Sequence, residues 1–211
     1  MRLIIKAKAR PVGSVSPDGK YKKAPSGEWL PIKKERAAGN VFENKVKESY
    51  EWILSKTSNE FEAMVLLDEN GKVMKTRLGD KVSIDLSDMV YAMKDNILLH
   101  NHPTGSSFSP DDVMCTLTNG LKEVRAFGKE YEYIYRPEKA IPKRPANITI
   151  RRSIIDFIDD QNIAMYVKQD PKIKAGEMSI KAATLNHWHE VMTNFVAKFG
   201  GFYERRRSPV G

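Results

Sequence analysis

The amino-acid sequence predicts a mixed α/β fold, in which a central mixed β-sheet is flanked by helices. Short apolar runs of strand length alternate along the chain with segments of helical periodicity, which is typical of one sheet covered by helices. The run at 97–99 leads directly into a His-x-His pair, as expected where a buried strand delivers side chains to a site. The 211 residues can bury one sizeable core, so we expect one main domain with additions.

The chain is predicted to have three parts. Residues 1–39 would form an N-terminal strand at 3–5 and a basic hairpin arm, with a turn at 25–27. Residues 40–136 would form the core. Residues 137–211 would form a proline-containing connector at 137–145 and a helical C-terminal extension packed on the core.

Each element of the core and of the extension is predicted from its own local pattern. Apolar residues recur at helical spacing in the long segments, and the short apolar or alternating runs end at turn residues such as Asp68 to Gly71 and Gly128. Ser87 and Ser109 are plausible N-caps, and Gly120 is a plausible C-cap. The predicted helices are 40–58, 87–93, 109–119, 148–167 and 179–199, and the predicted strands are 59–67, 72–75, 81–86, 97–102, 124–127 and 131–135.

The stretch LLHNHPTGSSFSPDDV, at 98–113, contains a pattern typical of a metal site. Alternate residues of a strand share a face, so His100 and His102 would point the same way, and Pro103 would end the strand. After a glycine-containing loop, Ser109 would cap a helix whose first turn carries Asp112. Two imidazoles and a carboxylate on rigid elements match a catalytic zinc site, which keeps one position for water.

This stretch resembles the signature of the JAMM (MPN-plus) zinc metallopeptidases, His-x-His-Pro followed by Ser-x-x-Asp. The loop between His102 and Ser109 holds six residues, one fewer than the commonest family version. The resemblance covers about residues 60–135 and implies a JAMM/MPN-like core, related to the cytidine-deaminase fold, with Zn²⁺ held by His100, His102 and Asp112. It also implies that Ser109 donates a hydrogen bond to the oxyanion formed during hydrolysis.

A glutamate at the mouth of the apolar strand at 63–67 is a candidate general base, because burial can tune the pKa of a carboxylate there. In the family, a catalytic Glu outside the metal's ligand set precedes the first central strand. The context Glu60-Phe61-Glu62-Ala63 places Glu60 in that position. Glu62 would lie on the same strand face and remains the alternative.

The resemblance implies a zinc-dependent peptidase or isopeptidase whose substrate is a protein or peptide tail, in many members the tail of ubiquitin or a ubiquitin-like protein. The sequence is most similar to the versions that bacteria, phages and mobile elements carry. The alternative is the RadC-like branch, which shares His-Asn-His-Pro, has no secure peptidase role and would act as a scaffold or a nucleic-acid-associated protein.

Composition limits the partners and the compartment. The chain carries 35 Lys and Arg against 27 Asp and Glu, a net charge of +8, so binding to nucleic acid is possible. We do not favour it, because the basic ends lack the interleaved aromatic residues that single-strand binders use. No run is long and apolar enough for a membrane span and the N-terminus does not resemble a secretory signal, so we expect a cytoplasmic protein that does not bind membranes.

Overall fold

A computed structural model of the chain describes residues 21–23, 29–31, 35–58, 60–81, 83–141 and 148–210. The chain divides into two compact units, Met1–Val41 and Phe42–Gly211. In the first unit, β1 (Tyr21–Lys23) pairs antiparallel with β2 (Trp29–Pro31), as the hairpin prediction requires. The predicted strand at 3–5 and the predicted turn at 25–27 lie outside the described residues.

The remaining elements build a six-stranded mixed sheet with helices on both faces, which confirms the mixed α/β class. Strand order is β4-β3-β5-β6-β7-β8; β5 and β6 are parallel, and the other neighbours are antiparallel. In chain order the elements are α1 (Glu35–Thr57), β3 (Ala63–Leu67), β4 (Val73–Leu78), α2 (Val90–Met93), β5 (Ile97–Asn101), α3 (Pro110–Asn119), β6 (Glu123–Phe127), β7 (Tyr131–Arg136), α4 (Ile148–Lys174), α5 (Ile180–Phe199) and β8 (Phe202–Arg207).

The two faces of the sheet carry separate apolar cores because strand residues alternate between them. Helix α1 covers one face, packing Val46, Tyr50 and Ile53 on the odd-numbered residues of β3 and β5. Helices α3, α4 and α5 cover the other face, where the even-numbered residues of β3 and β5 point. His100 belongs to this second face, so the candidate site lies on the side covered by the later helices.

Three predictions about the elements were wrong. Residues 81 and 83–86 form no strand; Asp80 accepts hydrogen bonds from the backbone N–H and hydroxyl of Ser83, which turns the chain away from the sheet. The helix predicted at 87–93 is only Val90–Met93, without a side-chain cap. The C-terminal extension is not wholly helical, since β8 joins the sheet beside β7. Part of the predicted connector, 142–147, lies outside the described residues.

A cluster of charged side chains with a buried centre lies on the sheet face that α1 covers. Arg125 of β6 is 1% exposed, and its guanidinium contacts the carboxylates of Glu43, Glu123 and Glu132. Arg206 of β8 pairs with Glu43 and Glu132, and Arg136 pairs with Glu123. The Tyr50 hydroxyl donates to Glu132 Oε1 at 2.6 Å. We call these residues the Arg125 network; its guanidinium and carboxylate groups are equal in number.

In the described part of the chain, no helix combines the length and the apolar character that crossing a lipid bilayer requires.

Candidate metal centre

Two histidine rings meet at the carboxyl end of β5. His100 lies in the strand, and His102 lies just beyond it, with its backbone N–H still donating to the Phe127 carbonyl of β6 at 2.8 Å. Their Nε2 atoms are 2.9 Å apart, and His100 and His102 are only 3% and 7% exposed. Both rings therefore lie on one side of the sheet, as the His-x-His spacing predicts.

Asn101, between the two histidines, points to the opposite face and holds the start of β3. Its Oδ1 accepts the Ala63 N–H at 2.7 Å, and its Nδ2 donates to the Phe61 carbonyl at 2.8 Å. These bonds fix the backbone on both sides of Glu62. No role was predicted for Asn101 from the sequence, although its position between two histidines on a predicted strand already placed its side chain on the opposite face.

Helix α3 supplies the third side chain. Ser109 is its N-cap, Pro110 occupies the first turn, and Ser109 and Asp112 form a reciprocal capping box. Asp112 Oδ1 lies 3.2 Å from His100 Nε2, and Oδ2 lies 3.4 Å from His102 Nε2. The structure thus brings His100, His102 and Asp112 together, and in the described residues they form the one group of this kind suited to a metal ion.

The three side chains fit a zinc ion by donor type and by spacing. Two imidazole nitrogens and a carboxylate facing one another in a buried site need positive charge between them. Zinc bonds of about 2.1 Å in tetrahedral geometry place neighbouring donors about 3.4 Å apart. The observed separations of 2.9, 3.2 and 3.4 Å are close to that value.

The orientation of the His102 ring suits metal binding. Its Nδ1 lies 2.9 Å from the Ser106 carbonyl oxygen, which can only accept, so Nδ1 keeps a proton and Nε2 faces the cluster. Burial lowers the pKa of His102, but the hydrogen bond and charge of Asp112 outweigh burial and raise it to about 9, so a metal ion would replace a proton on Nε2. Burial raises the pKa of Asp112, but the two histidines outweigh it and hold the pKa well below its usual range.

The loop that carries the Ser106 carbonyl is held by residues of β7, β8 and α5. Ser107 Oγ lies 2.8 Å from the Tyr203 hydroxyl of β8, which lies 2.9 Å from His189 Nδ1 of α5. The Tyr133 hydroxyl donates to the Gly105 carbonyl at 3.0 Å. The C-terminal extension therefore supports the orientation of His102. The role of Tyr203 could not be predicted from local sequence, because its partner Ser107 lies 96 residues earlier.

If the cluster holds zinc, Tyr203→Phe should weaken its binding by about tenfold, since removing a group that orients a metal ligand typically costs about 10- to 100-fold in affinity. The substitution leaves Ser107 and His189 without their shared hydroxyl partner. Competition titration with a zinc indicator measures the effect. Tyr166→Phe is the matched control, because Tyr166 is an exposed tyrosine of α4 that does not line the metal cavity. Equal zinc affinity in wild type and Tyr203→Phe would show that β8 does not support the site.

The two candidate glutamates lie in different environments. The Glu60 side chain is exposed, and its backbone lies in a turn, with its N–H donating to the Thr57 carbonyl at 2.9 Å. Glu62 is half-buried and lines the same cavity as His100, His102 and Asp112, whereas Glu60 is not part of that lining. Burial raises the pKa of Glu62. His100 and His102 act in the opposite direction but do not cancel this rise. The structure therefore brings Glu62 to the cluster of His100, His102 and Asp112 and leaves Glu60 outside the cavity.

Ser109 also lines this cavity, which has a volume of about 380 Å³. Its hydroxyl donates to Asp112 Oδ2 at 2.7 Å and accepts the Asp112 N–H at 3.3 Å. The same hydroxyl is thus an N-cap and a group in the site, so its structural role leaves room for a chemical one.

Comparison with protein-family models, with curated proteins and with solved structures finds no match for this chain.

Proposed function

We propose that this protein is a zinc-dependent peptidase or isopeptidase of the JAMM (MPN-plus) type, acting on an amide bond in a protein or peptide tail. The observation that supports the proposal most directly is one cavity lined by His100, His102, Asp112 and the half-buried Glu62. It unites three side chains able to hold a metal with a carboxylate whose pKa is raised. Hydrolysis by a metal-activated water needs both functions, metal binding and proton transfer by a general base.

His100, His102 and Asp112 would hold the zinc ion. When bound, zinc would lower the pKa of a coordinated water to about 7 and polarise the carbonyl of the scissile bond. Glu62 would accept a proton from the attacking water and return it to the leaving amine. Its raised pKa favours this exchange because a general base works best when its pKa is near the working pH.

Ser109 would stabilise the developing oxyanion through its hydroxyl. The hydroxyl has a single proton, which Asp112 Oδ2 accepts in this structure. Donation to the substrate therefore requires the hydroxyl to exchange acceptors. The Ser109 backbone N–H, which donates to the same carboxylate oxygen at 2.7 Å, keeps Asp112 oriented during that exchange.

The test is zinc-dependent cleavage of a mixed peptide library, read by mass spectrometry of new termini. We expect wild type to carry about one zinc per chain and to cleave peptides, and a chelator to stop cleavage. Asp112→Asn should lose both zinc and cleavage while preserving an oxygen acceptor for the helix cap. Asp159→Asn, the same change in an exposed carboxylate of α4 that does not line the cavity, is the matched control and should retain both properties.

Two results would contradict the proposal. If Asp112→Asn bound zinc as tightly as wild type, the metal centre would be wrong. If zinc-loaded wild type left the whole library intact, the peptidase function would be wrong, and the non-peptidase alternative, including association with nucleic acid, would become the better hypothesis. Steep loss of nucleic-acid affinity with rising salt would then identify that alternative.

A further inference from the structure

The metal cavity has an apolar side as well as a polar one. Its polar side contains the three candidate ligand side chains, Glu62 and Ser109, together with Lys81, Ser83, Thr104, Ser106 and Asp111. Five apolar side chains lie together in the same lining, and we call them the apolar recess: Met64, Ile84, Leu86, Leu98 and Cys115.

The apolar recess lies directly beside the metal ligands. Met64 is the register partner of His100 in the antiparallel β3/β5 pair, so their side chains are neighbours on one face. Leu98 precedes His100 by two residues and shares that face. Cys115 follows Asp112 by three residues, so the two lie side by side on α3. A substrate bond held at the ligands would therefore place an adjacent side chain against this recess.

The walls of the recess are held in place without a ligand. Met64 and Leu98 are 0% and 5% exposed, so they form a floor that belongs to the main core. Ile84, Leu86 and Cys115 are half-buried and form the sides. The segment that carries Ile84 is fixed at its start by Asp80, whose carboxylate accepts the Ser83 N–H at 2.8 Å and the Ser83 hydroxyl at 3.0 Å.

We propose that the apolar recess binds a medium-sized apolar side chain, such as leucine or methionine, on the substrate residue next to the cleaved bond. Glycine at that position would leave the recess unfilled. Burial of a leucine side chain there should improve binding by about tenfold or more over glycine. This inference rests on the proposed metal centre, and it names the substrates as polypeptides with an aliphatic residue beside the scissile amide.

Amino-acid hydroxamates test this without requiring cleavage, because the hydroxamate group binds the zinc and the side chain samples the recess. Calorimetric titration of the zinc-loaded full chain should show leucine hydroxamate binding about tenfold or more tightly than glycine hydroxamate. Cys115→Phe, which fills the recess, should remove this preference, and zinc analysis of the same protein checks that the metal site is retained. Cys115→Ser, a change of similar size, is the matched control and should keep the preference.

Leu86→Ala is a second variant that removes one wall instead of filling the recess, and it should lower the preference for leucine hydroxamate severalfold. Equal binding of the two hydroxamates to wild type would overturn the inference, as would a preference that survives both Cys115→Phe and Leu86→Ala. The proposed function fails separately: a protein that prefers leucine hydroxamate but cleaves no peptide contradicts only the peptidase proposal. Conversely, peptide cleavage with no preference for apolar residues contradicts only the proposal that the recess binds an apolar side chain.

Discussion

Glu62→Gln should reduce peptide cleavage by about 100- to 10,000-fold, the usual contribution of a general base, with zinc content unchanged. Glutamine keeps the size and hydrogen-bonding capacity of the side chain but cannot accept the proton. Because Glu62 is not among the three clustered ligands, the loss should appear in the chemical step and not in metal binding. Single-turnover cleavage by variants loaded with equal zinc measures it.

Glu60→Gln is the matched control, since it makes the same chemical change two residues earlier. Glu60 is exposed and outside the cavity, so this variant should keep nearly full activity. If Glu60→Gln were inactive and Glu62→Gln active, the general base would return to Glu60, as the family resemblance implied. The two variants thus decide between the alternatives that the sequence left open.

The sequence could not separate these glutamates because their difference depends on where β3 begins. The apolar run makes a strand starting near residue 59 a reasonable prediction, and on such a strand Glu60 and Glu62 would share a face. In the structure, Glu60 and Phe61 lie in a bend and the strand starts at Ala63. That start is fixed by Asn101, a contact from a distant strand that local periodicity does not contain.

The juxtaposition of His100, His102 and Asp112 could be predicted because its determinants are local. A strand, a proline stop and a capped helix start place His100, His102 and Asp112, and each is encoded within a few residues. The contacts that hold the cluster in place are not local. Tyr203, which forms a hydrogen bond with Ser107, lies on β8, a strand that was not predicted. In the sequence, the residues of β8 look like a basic tail. The strand could not be predicted from them alone, because Arg206 finds its charge partners in Glu43 and Glu132, which are distant along the chain.

The Arg125 network leads to the prediction with the largest effect on stability. Arg125→Met should lower the free energy of unfolding by about 3–5 kcal/mol, because removing one partner of a buried ion pair leaves uncompensated buried charge. Glu132 is fully buried and Glu123 nearly so, and neither can reach solvent to recover the lost interaction. Urea unfolding of wild type and variant at pH 7 measures the difference.

Arg77→Met is the control for this variant. Arg77 pairs with Asp88 at 2.6 Å, but the Asp88 side chain is 57% exposed, and exposed pairs contribute about 0–1 kcal/mol. If Arg125→Met lost no more free energy of unfolding than Arg77→Met, the Arg125 network would not stabilise the fold.

The difference in the free energy of unfolding between wild type and Arg125→Met should also become smaller at acidic pH. Burial raises the pKa of Glu43, but Arg125 and Arg206 outweigh burial and lower it from its ordinary value of 4.5 to about 2. A carboxylate with a lowered pKa stabilises the folded protein above its ordinary pKa, and this contribution is lost as the pH falls toward the lowered value. Removal of Arg125 takes away much of that contribution, so wild type should lose more stability than the variant between pH 5 and pH 2. Parallel losses in both proteins over this range would mean that Arg125 does not hold the charged form of Glu43.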